Sequence, residues 1–251
     1  DITTNKEANE AACQFIKKKI AQIVKDPEKA QKLMPKDAYA RRPLCDAGYY
    51  QCFNRENVST VDLNETPFAS IVAEGIKMAD GTVYELDLII FATGFDAIEG
   101  SYNRVRIRGL NGESLKDHWD THGPTSFMGI AVSGFPNFFM TLGPQGPFTN
   151  NPPCIEQQVL LHRVLIERAE KLRKQKDGEV QAVTKEAEAA WVRYCEDLAA
   201  GSLFKDTASW IFGNNVSGKT IALRFYFGGL KGYKKEVDDF VKGGFKAFQP
   251  V

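Results

Sequence analysis

Along residues 5–33 apolar side chains recur at helical spacing: Ala12, Phe15, Ile16, Ile20 and Ile23 fall on one stripe, with basic residues opposite. Asp26-Pro27 interrupts the stripe and predicts a second short helix. From residue 35 to 48 the pattern dissolves into an irregular segment carrying the adjacent Arg41 and Arg42. The period then shortens. "FASIVAEGIKMADGTVYELDLIIFATGFDA" places a hairpin turn at Ala79-Asp80-Gly81, and residues 86–92 form a nearly continuous apolar run. Such a run predicts a strand buried on both faces, fed by a β-meander. Residues 127–132 and 137–142 read as two further strands around Gly134-Phe135-Pro136, followed by the Gly/Pro loop "GPQGPFTNNPP". Residues 155–175 are strongly periodic and predict a helix, as do residues 184–199. The last fifty residues are rich in aromatics and glycine, and no internal repeat is visible.

Composition narrows the function classes. With 43% hydrophobic and 25% charged residues the chain is an ordinary globular one rather than disordered. Its 32 basic and 32 acidic side chains cancel, so no field of one sign argues for nucleic acid or an acidic membrane surface. Five cysteines form no C-x-x-C pair, and three histidines (His118, His122, His162) show no metal-ligand spacing. The expectation is reduced thiols in a cytoplasmic setting, without a metal. No apolar run approaches the ~18–20 residues of a membrane-spanning helix. The chain opens without an initiator Met, which suggests a piece of something longer.

One stretch, "GNNVSGKT" (213–220), satisfies G-x-x-x-x-G-K-[ST]. A phosphate-cradling loop needs a helix after it, because loop amides and the helix N-terminus hold the anion together. Here "IALRFYFGG" follows, which is β-branched and aromatic and then Gly-Gly. A nucleotide triphosphatase is therefore disfavoured and a Gly/Asn-rich turn expected.

"LDLIIFATGFDA" runs an apolar stretch into Ala-Thr-Gly, where small residues permit close backbone approach. Together with "RRPLCDAGYYQCFNRENVSTVDL", "GFPNFFMTLGPQGPFTN", "IEQQV" and "SWIFGNNVSGK", in that order, it resembles the Baeyer–Villiger monooxygenases of the cyclohexanone monooxygenase type over essentially all 251 residues. The resemblance implies a flavoenzyme that binds FAD and NADPH. In that family a peroxide formed on the reduced flavin by O2 attacks a ketone, and rearrangement inserts oxygen to give an ester or lactone.

Site residues follow from the same resemblance. Arg42 matches the catalytic arginine, and a guanidinium that cannot lose its proton suits stabilisation of an oxyanion. Arg41 stands where the family usually has Lys near the 2′-phosphate of NADPH, and it can pair with phosphate in two-pronged fashion. Trp210 matches the loop tryptophan beside the nicotinamide half of the coenzyme. Leu142, Phe148, Thr149 and Phe225 match the apolar wall of the ketone pocket. Asn150 and Asn151 are expected near the flavin ring, Asn151 being a departure from the family's usual hydrophobic residue. Thr93, Gly94 and Asp96 are expected at the connection between domains.

The expected architecture is α/β, the C-terminal half of a two-domain FAD/NAD(P)-binding flavoprotein fold. Residues 1–40 would end a helical insert and 41–95 complete an NADPH-binding domain. Residues 96–251 would form the second segment of an FAD-binding domain, with a mobile loop at about 204–225. No G-x-G-x-x-G occurs, nor the family's Phe-x-Gly signature followed by His and Trp, so an N-terminal half is the expected partner beside the ketone and O2. Two readings compete: a flavin N-hydroxylase, not expected to carry "RRPLCDAGYY" or "SWIFGNNVSGK", and a non-catalytic remnant serving as an interaction module.

Overall fold

A computed structural model of the chain describes residues 1–45, 47–175, 180–207, 209–214 and 216–251. Asp46 of the double-arginine segment, Asn215 of the "GNNVSGKT" stretch and the side chain of His122 lie outside the described residues. The chain divides into two compact units, Asp1–Gly94 and Phe95–Val251.

The first unit opens with helices α1 (Lys6–Ile23) and α2 (Pro27–Leu33), as the periodicity predicts. Both starts are locally encoded. Asn5 accepts a hydrogen bond from the Ala8 amide, Asp26 accepts from those of Glu28 and Lys29, and Pro27 occupies a first-turn position where no amide is needed. Ile20, Val24 and Ala30 then bury against Phe53, which follows a single turn α3 (Tyr49–Cys52). Lys29 binds the segment beyond it, its ammonium lying 2.6 Å from the Val58 carbonyl.

Strands β1 (Phe68–Val72), β2 (Gly75–Met78) and β3 (Val83–Glu85) form an antiparallel meander in that order. The turn lies where Asp80-Gly81 puts it: Gly81 takes φ +90°, and the Asp80 carboxylate accepts from the Thr82 amide.

The strand expected at 86–92 does not form. Leu88, Ile90 and Phe91 are 73, 79 and 67% exposed. A strand buried on both faces needs neighbours on both edges, and the described residues of this unit supply none there.

In the second unit the helices expected at 155–175 and 184–199 are α6 (Asn151–Gln175) and α7 (Lys185–Ala200), preceded by α4 (Glu99–Tyr102) and α5 (Leu115–His122). Helix α6 starts four residues earlier than its periodicity suggests, because Pro152 and Pro153 are tolerated in a first turn. An unexpected helix, α8 (Gly229–Lys242), closes the unit with Tyr233 and Val237 inward. Its signal was an i, i+4 apolar pair supported by Lys234–Asp238 and Lys235–Asp239. Short strands complete the unit. β4 (Gly146–Pro147) runs parallel to β6 (Phe225–Tyr226), and β5 (Gln181–Val183) pairs antiparallel with β7 (Phe248–Pro250). The core gathers Phe127, Leu161, Leu165, Trp191, Tyr226 and Tyr233, with Trp191 stacked on Tyr226 at 5.2 Å.

The strands expected at 127–132 and 137–142 are also absent. Met128 (φ 55°) and Gly129 (φ 72°) reverse the chain, and the Phe127 and Ala131 backbones close a turn instead. Gly129 is required there, since a Cβ would lie 2.6 Å from the Gly146 Cα. Burial without a ladder is possible because side chains satisfy the backbone: the Ser126 hydroxyl accepts from the Gly129 amide (3.0 Å), Glu188 from that of Ser133 (2.6 Å) and Gln158 from that of Leu142 (2.8 Å). The Gln145 carboxamide accepts from the Ser126 amide (2.9 Å) and donates to the carbonyls of Pro124 (2.9 Å) and Leu223 (2.7 Å).

Candidate functional site

The double-arginine segment belongs to the first unit and is positioned by Asn9. This buried side chain donates to the carbonyls of Ile2 (2.9 Å) and Tyr39 (3.0 Å) and accepts from the Tyr39 amide (3.1 Å). Ala40 is thereby fully buried, and the chain emerges beyond it with Arg41 and Arg42 exposed. Arg41 pairs with Asp37, four residues earlier in the same irregular segment. Both arginines line a concavity of about 660 Å³ that also presents Phe15, Lys19, Leu44 and Tyr50. Two exposed guanidiniums over an apolar floor can hold an anionic group and an attached ring. Thr93 and Gly94 end the same unit, exposed, with Gly94 at φ +90° and space where a Cβ would stand.

In the second unit the residues expected to form the pocket are brought together by the β4–β6 pairing. The Gln145 amide donates to the Arg224 carbonyl and the Phe148 amide to that of Tyr226, both at 2.9 Å. This register sets Phe148 against Phe225 (ring centroids 5.2 Å), and Trp210 meets Phe225 edge-on at 5.3 Å. Phe204 and Phe227 extend the cluster from the other side of Phe148. Leu142 sits at the opposite end of the Gly/Pro loop, half-buried at φ 55°, its amide donating to Gln158 (2.8 Å). Thr149 follows Phe148 directly, half-buried, and Asn150 and Asn151 are exposed at the start of α6. That helix carries no acidic residue in its first turn, so no side chain there offsets the positive end of its dipole.

The lysine of "GNNVSGKT" holds carboxylates. Lys219 Nζ lies 2.5 Å from Asp96 and 2.9 Å from Glu99, and residues 220–224 lead into β6 without forming a helix. The phosphate-loop reading is thus excluded on geometry, as expected. Asp96 is drawn into this ion-pair cluster.

Sequence reasoning missed Arg224 and Glu99. Arg224 is fully buried beneath the Trp210 turn, its guanidinium on both Glu99 oxygens. The available signal was a lone arginine inside the apolar run "IALRFYF", since a charge there demands a buried partner.

The burial pattern also sets side-chain chemistry. Burial lifts the Cys154 thiol to about 11, and the thiol of Cys195 and the phenols of Tyr226 and Tyr233 are raised for the same reason. These groups are inert scaffold at neutral pH. Among the described residues no cluster of His, Cys, Asp and Glu could hold a metal ion, and no helix is long and apolar enough to cross a membrane.

No protein-family model matches the chain. It is 50% identical over 236 residues to the cyclohexanone 1,2-monooxygenase of an Acinetobacter species, covering 93% of this chain and 42% of that protein. It is 47% identical over 251 residues to phenazine N-monooxygenase PhzNO1 of Lysobacter antibioticus, covering 99% and 45%. Among solved structures, cyclohexanone monooxygenase from Rhodococcus sp. Phi1 bound to NADP+ superposes at a TM-score of 0.94 with 47% identity, over all of this chain and 46% of that one. The chain thus spans less than half the length of these proteins. The alignment with the phenazine enzyme spans the positions of both segments expected to separate ketone from nitrogen oxidation.

Proposed function

The chain is homologous over its length to Baeyer–Villiger monooxygenases of the cyclohexanone monooxygenase type, and on that premise we propose that it forms part of a flavin-dependent enzyme inserting one oxygen atom of O2 beside a ketone carbonyl. The product is an ester or lactone. The observation that carries this reading is the convergence of Phe148, Phe225 and Trp210, from separate segments of the chain, onto one half-buried aromatic wall.

The residues fit the two cofactors. Bound FAD would supply the oxygen-activating chemistry, and NADPH the reducing electrons. Asn150, Asn151 and the N-terminal pole of α6 would face the flavin ring, where a helix dipole and amide groups favour electron density. Arg41, released from Asp37, would take the 2′-phosphate of NADPH, and Trp210 would lie along its nicotinamide half. Arg42 would hold a permanent positive charge beside the reacting carbonyl and stabilise the oxyanion that develops there. Phe148, Phe225, Leu142 and Thr149 would exclude water from an apolar ketone. Thr93 and Gly94 would serve the coenzyme side through the connection they form.

The domain assignment is part of the proposal: residues 1–40 as the end of a helical insert, 41–95 as the last part of an NADPH domain, and 96–251 as the second segment of an FAD domain. A region beyond this chain would carry the dinucleotide fingerprints. The exposed run at 86–92 would add a strand to a sheet of that region, in a cytoplasmic protein with reduced thiols.

Nitrogen oxidation is the second reading, favoured by the 47% identity to a phenazine N-monooxygenase. Co-producing this chain with the remaining region and supplying NADPH, O2 and either cyclohexanone or phenazine separates the two. A lactone is the expected product. An N-oxide alone would overturn ketone oxidation, and no flavin bound to the pair would overturn both.

A further inference from the structure

Two cations and two carboxylates meet in the second unit where residues 96–99 pass the "SWIFGNNVSGK" segment. Lys219 Nζ lies 2.5 Å from Asp96 Oδ1, 2.9 Å from Glu99 Oε1 and 3.1 Å from the Ala97 carbonyl. Glu99 is simultaneously the partner of Arg224, whose Nε lies 3.0 and 2.9 Å from its two oxygens. Arg224 also donates to the carbonyls of Ala222 (2.8 Å) and Thr220 (3.0 Å). The side chains of Lys219, Glu99 and Arg224 are 10, 5 and 0% exposed, so solvent screens these pairs weakly.

The backbone around Arg224 and its guanidinium both bear on the Trp210 turn. The Ala222 amide donates to the Phe212 carbonyl (3.1 Å) and that of Arg224 to the Ile211 carbonyl (3.3 Å), tying the turn to the segment that leads into Phe225. Gly213, at φ +84°, passes so closely that a Cβ would stand 2.4 Å from the guanidinium. One end of the segment is therefore held by Arg224 and the other by Lys219, and both bear on Glu99.

We infer that Lys219 is a positioning residue: its ammonium, clasped by Asp96 and Glu99, fixes the course of the segment that presents Trp210 against Phe225. Arg224 is the permanent anchor, because its bonds to Glu99, Ala222 and Thr220 hold it within the core. Lys219 is the detachable one. Its loss leaves Glu99 still neutralised by Arg224, and it borders a polar cavity of about 360 Å³ lined also by Asn103 and Asp120, which admits water to the freed carboxylate. The consequence for coenzyme binding rests on the proposed role of Trp210, whereas the restraint on the segment does not.

The test compares the chain with Lys219→Met and Lys219→Arg by hydrogen exchange read by mass spectrometry. Lys219→Met is expected to speed exchange in residues 209–214 and 216–220 by about tenfold, with α6 and α7 unchanged. Lys219→Arg, which keeps the charge, is expected to restore protection. Unchanged exchange in Lys219→Met, or equal acceleration throughout α6 and α7, would overturn the inference. In the assembled enzyme, Lys219→Met should raise KM for NADPH more than it lowers kcat. Faster exchange with an unchanged KM would keep Lys219 as a positioning residue and refute the coenzyme role of Trp210 instead.

Discussion

Arg224 and Glu99 stand 125 positions apart and form a bidentate ion pair in the core of the second unit. Arg224 is fully buried and Glu99 nearly so. A buried pair gains little over well-packed apolar residues, but one partner left alone is an uncompensated charge. Glu99→Gln leaves the Arg224 guanidinium without its counter-charge and is therefore expected to lower stability by about 3–5 kcal/mol in urea unfolding, Arg224→Met to cost less because Lys219 still pairs with Glu99, and the double variant Glu99→Leu/Arg224→Met to regain most of the Glu99→Gln loss. Additive losses in the double variant would show that the two side chains act separately.

Gln145 is the second polar keystone. Its carboxamide serves one buried amide and two buried carbonyls, and its own carbonyl accepts from the Trp191 indole at 3.1 Å. Gln145→Leu keeps the volume but strands three backbone groups, each worth about 1–3 kcal/mol when unsatisfied. Allowing for relaxation, a loss of about 3 kcal/mol is expected by denaturant titration. A change below 1 kcal/mol would mean that water or a rearranged turn takes over these bonds.

Alkaline pH should unfold the second unit. Cys154 is lifted from its ordinary 9.0 to about 11, and Tyr226 and Tyr233 are raised above their ordinary 10.0, desolvation being the largest cause in each case. These groups stay protonated in the fold at pH values where the unfolded chain already releases protons. Their contribution is complete below the unfolded values and is lost as pH rises through the folded ones. Stability should hold to about pH 9 and then fall, with part of the tyrosine absorbance change at 295 nm appearing only on unfolding. At pH 8, iodoacetamide should modify the exposed Cys45 and spare the buried Cys154 and Cys195.

In the assembled enzyme, Arg41→Ala should raise KM for NADPH by about ten- to a hundredfold while leaving NADH unaffected, the worth of one charged phosphate contact. Equal losses with both coenzymes would remove Arg41 from the 2′-phosphate.

Arg42→Ala should lower kcat by about 10²–10³, the usual cost of one oxyanion-stabilising donor, measured under coenzyme saturation. Arg42→Lys keeps the charge but loses the planar fork and should recover only part of the rate. A full rate in Arg42→Ala would place the oxyanion donor elsewhere.

Local signals were legible. Helices α1, α6 and α7 carry a 3.6-residue apolar period, α1, α2 and α7 have their own side-chain caps, and Asp80-Gly81 encodes its turn without help from afar. The motifs also carried the resemblance, and with it Phe148, Phe225 and Trp210. Residues 86–92 and 127–142 misled for different reasons. The first is a strand pattern whose partners are not among the described residues of its unit. The second is buried with its backbone satisfied by the side chains of Ser126, Glu188 and Gln158, an arrangement apolar spacing does not report.

The sequence by itself determined the caps, the helical stripes and the family likeness, since each depends on residues within a few positions of one another or on an ordered string of motifs. Only the tertiary structure decided that Lys219 clasps carboxylates instead of phosphate, that Arg224 has Glu99 as its counter-charge, and that Phe148 meets Phe225. Those pairings join distant segments. Burial gives a charge or a ring its meaning, and burial is a property of the folded chain.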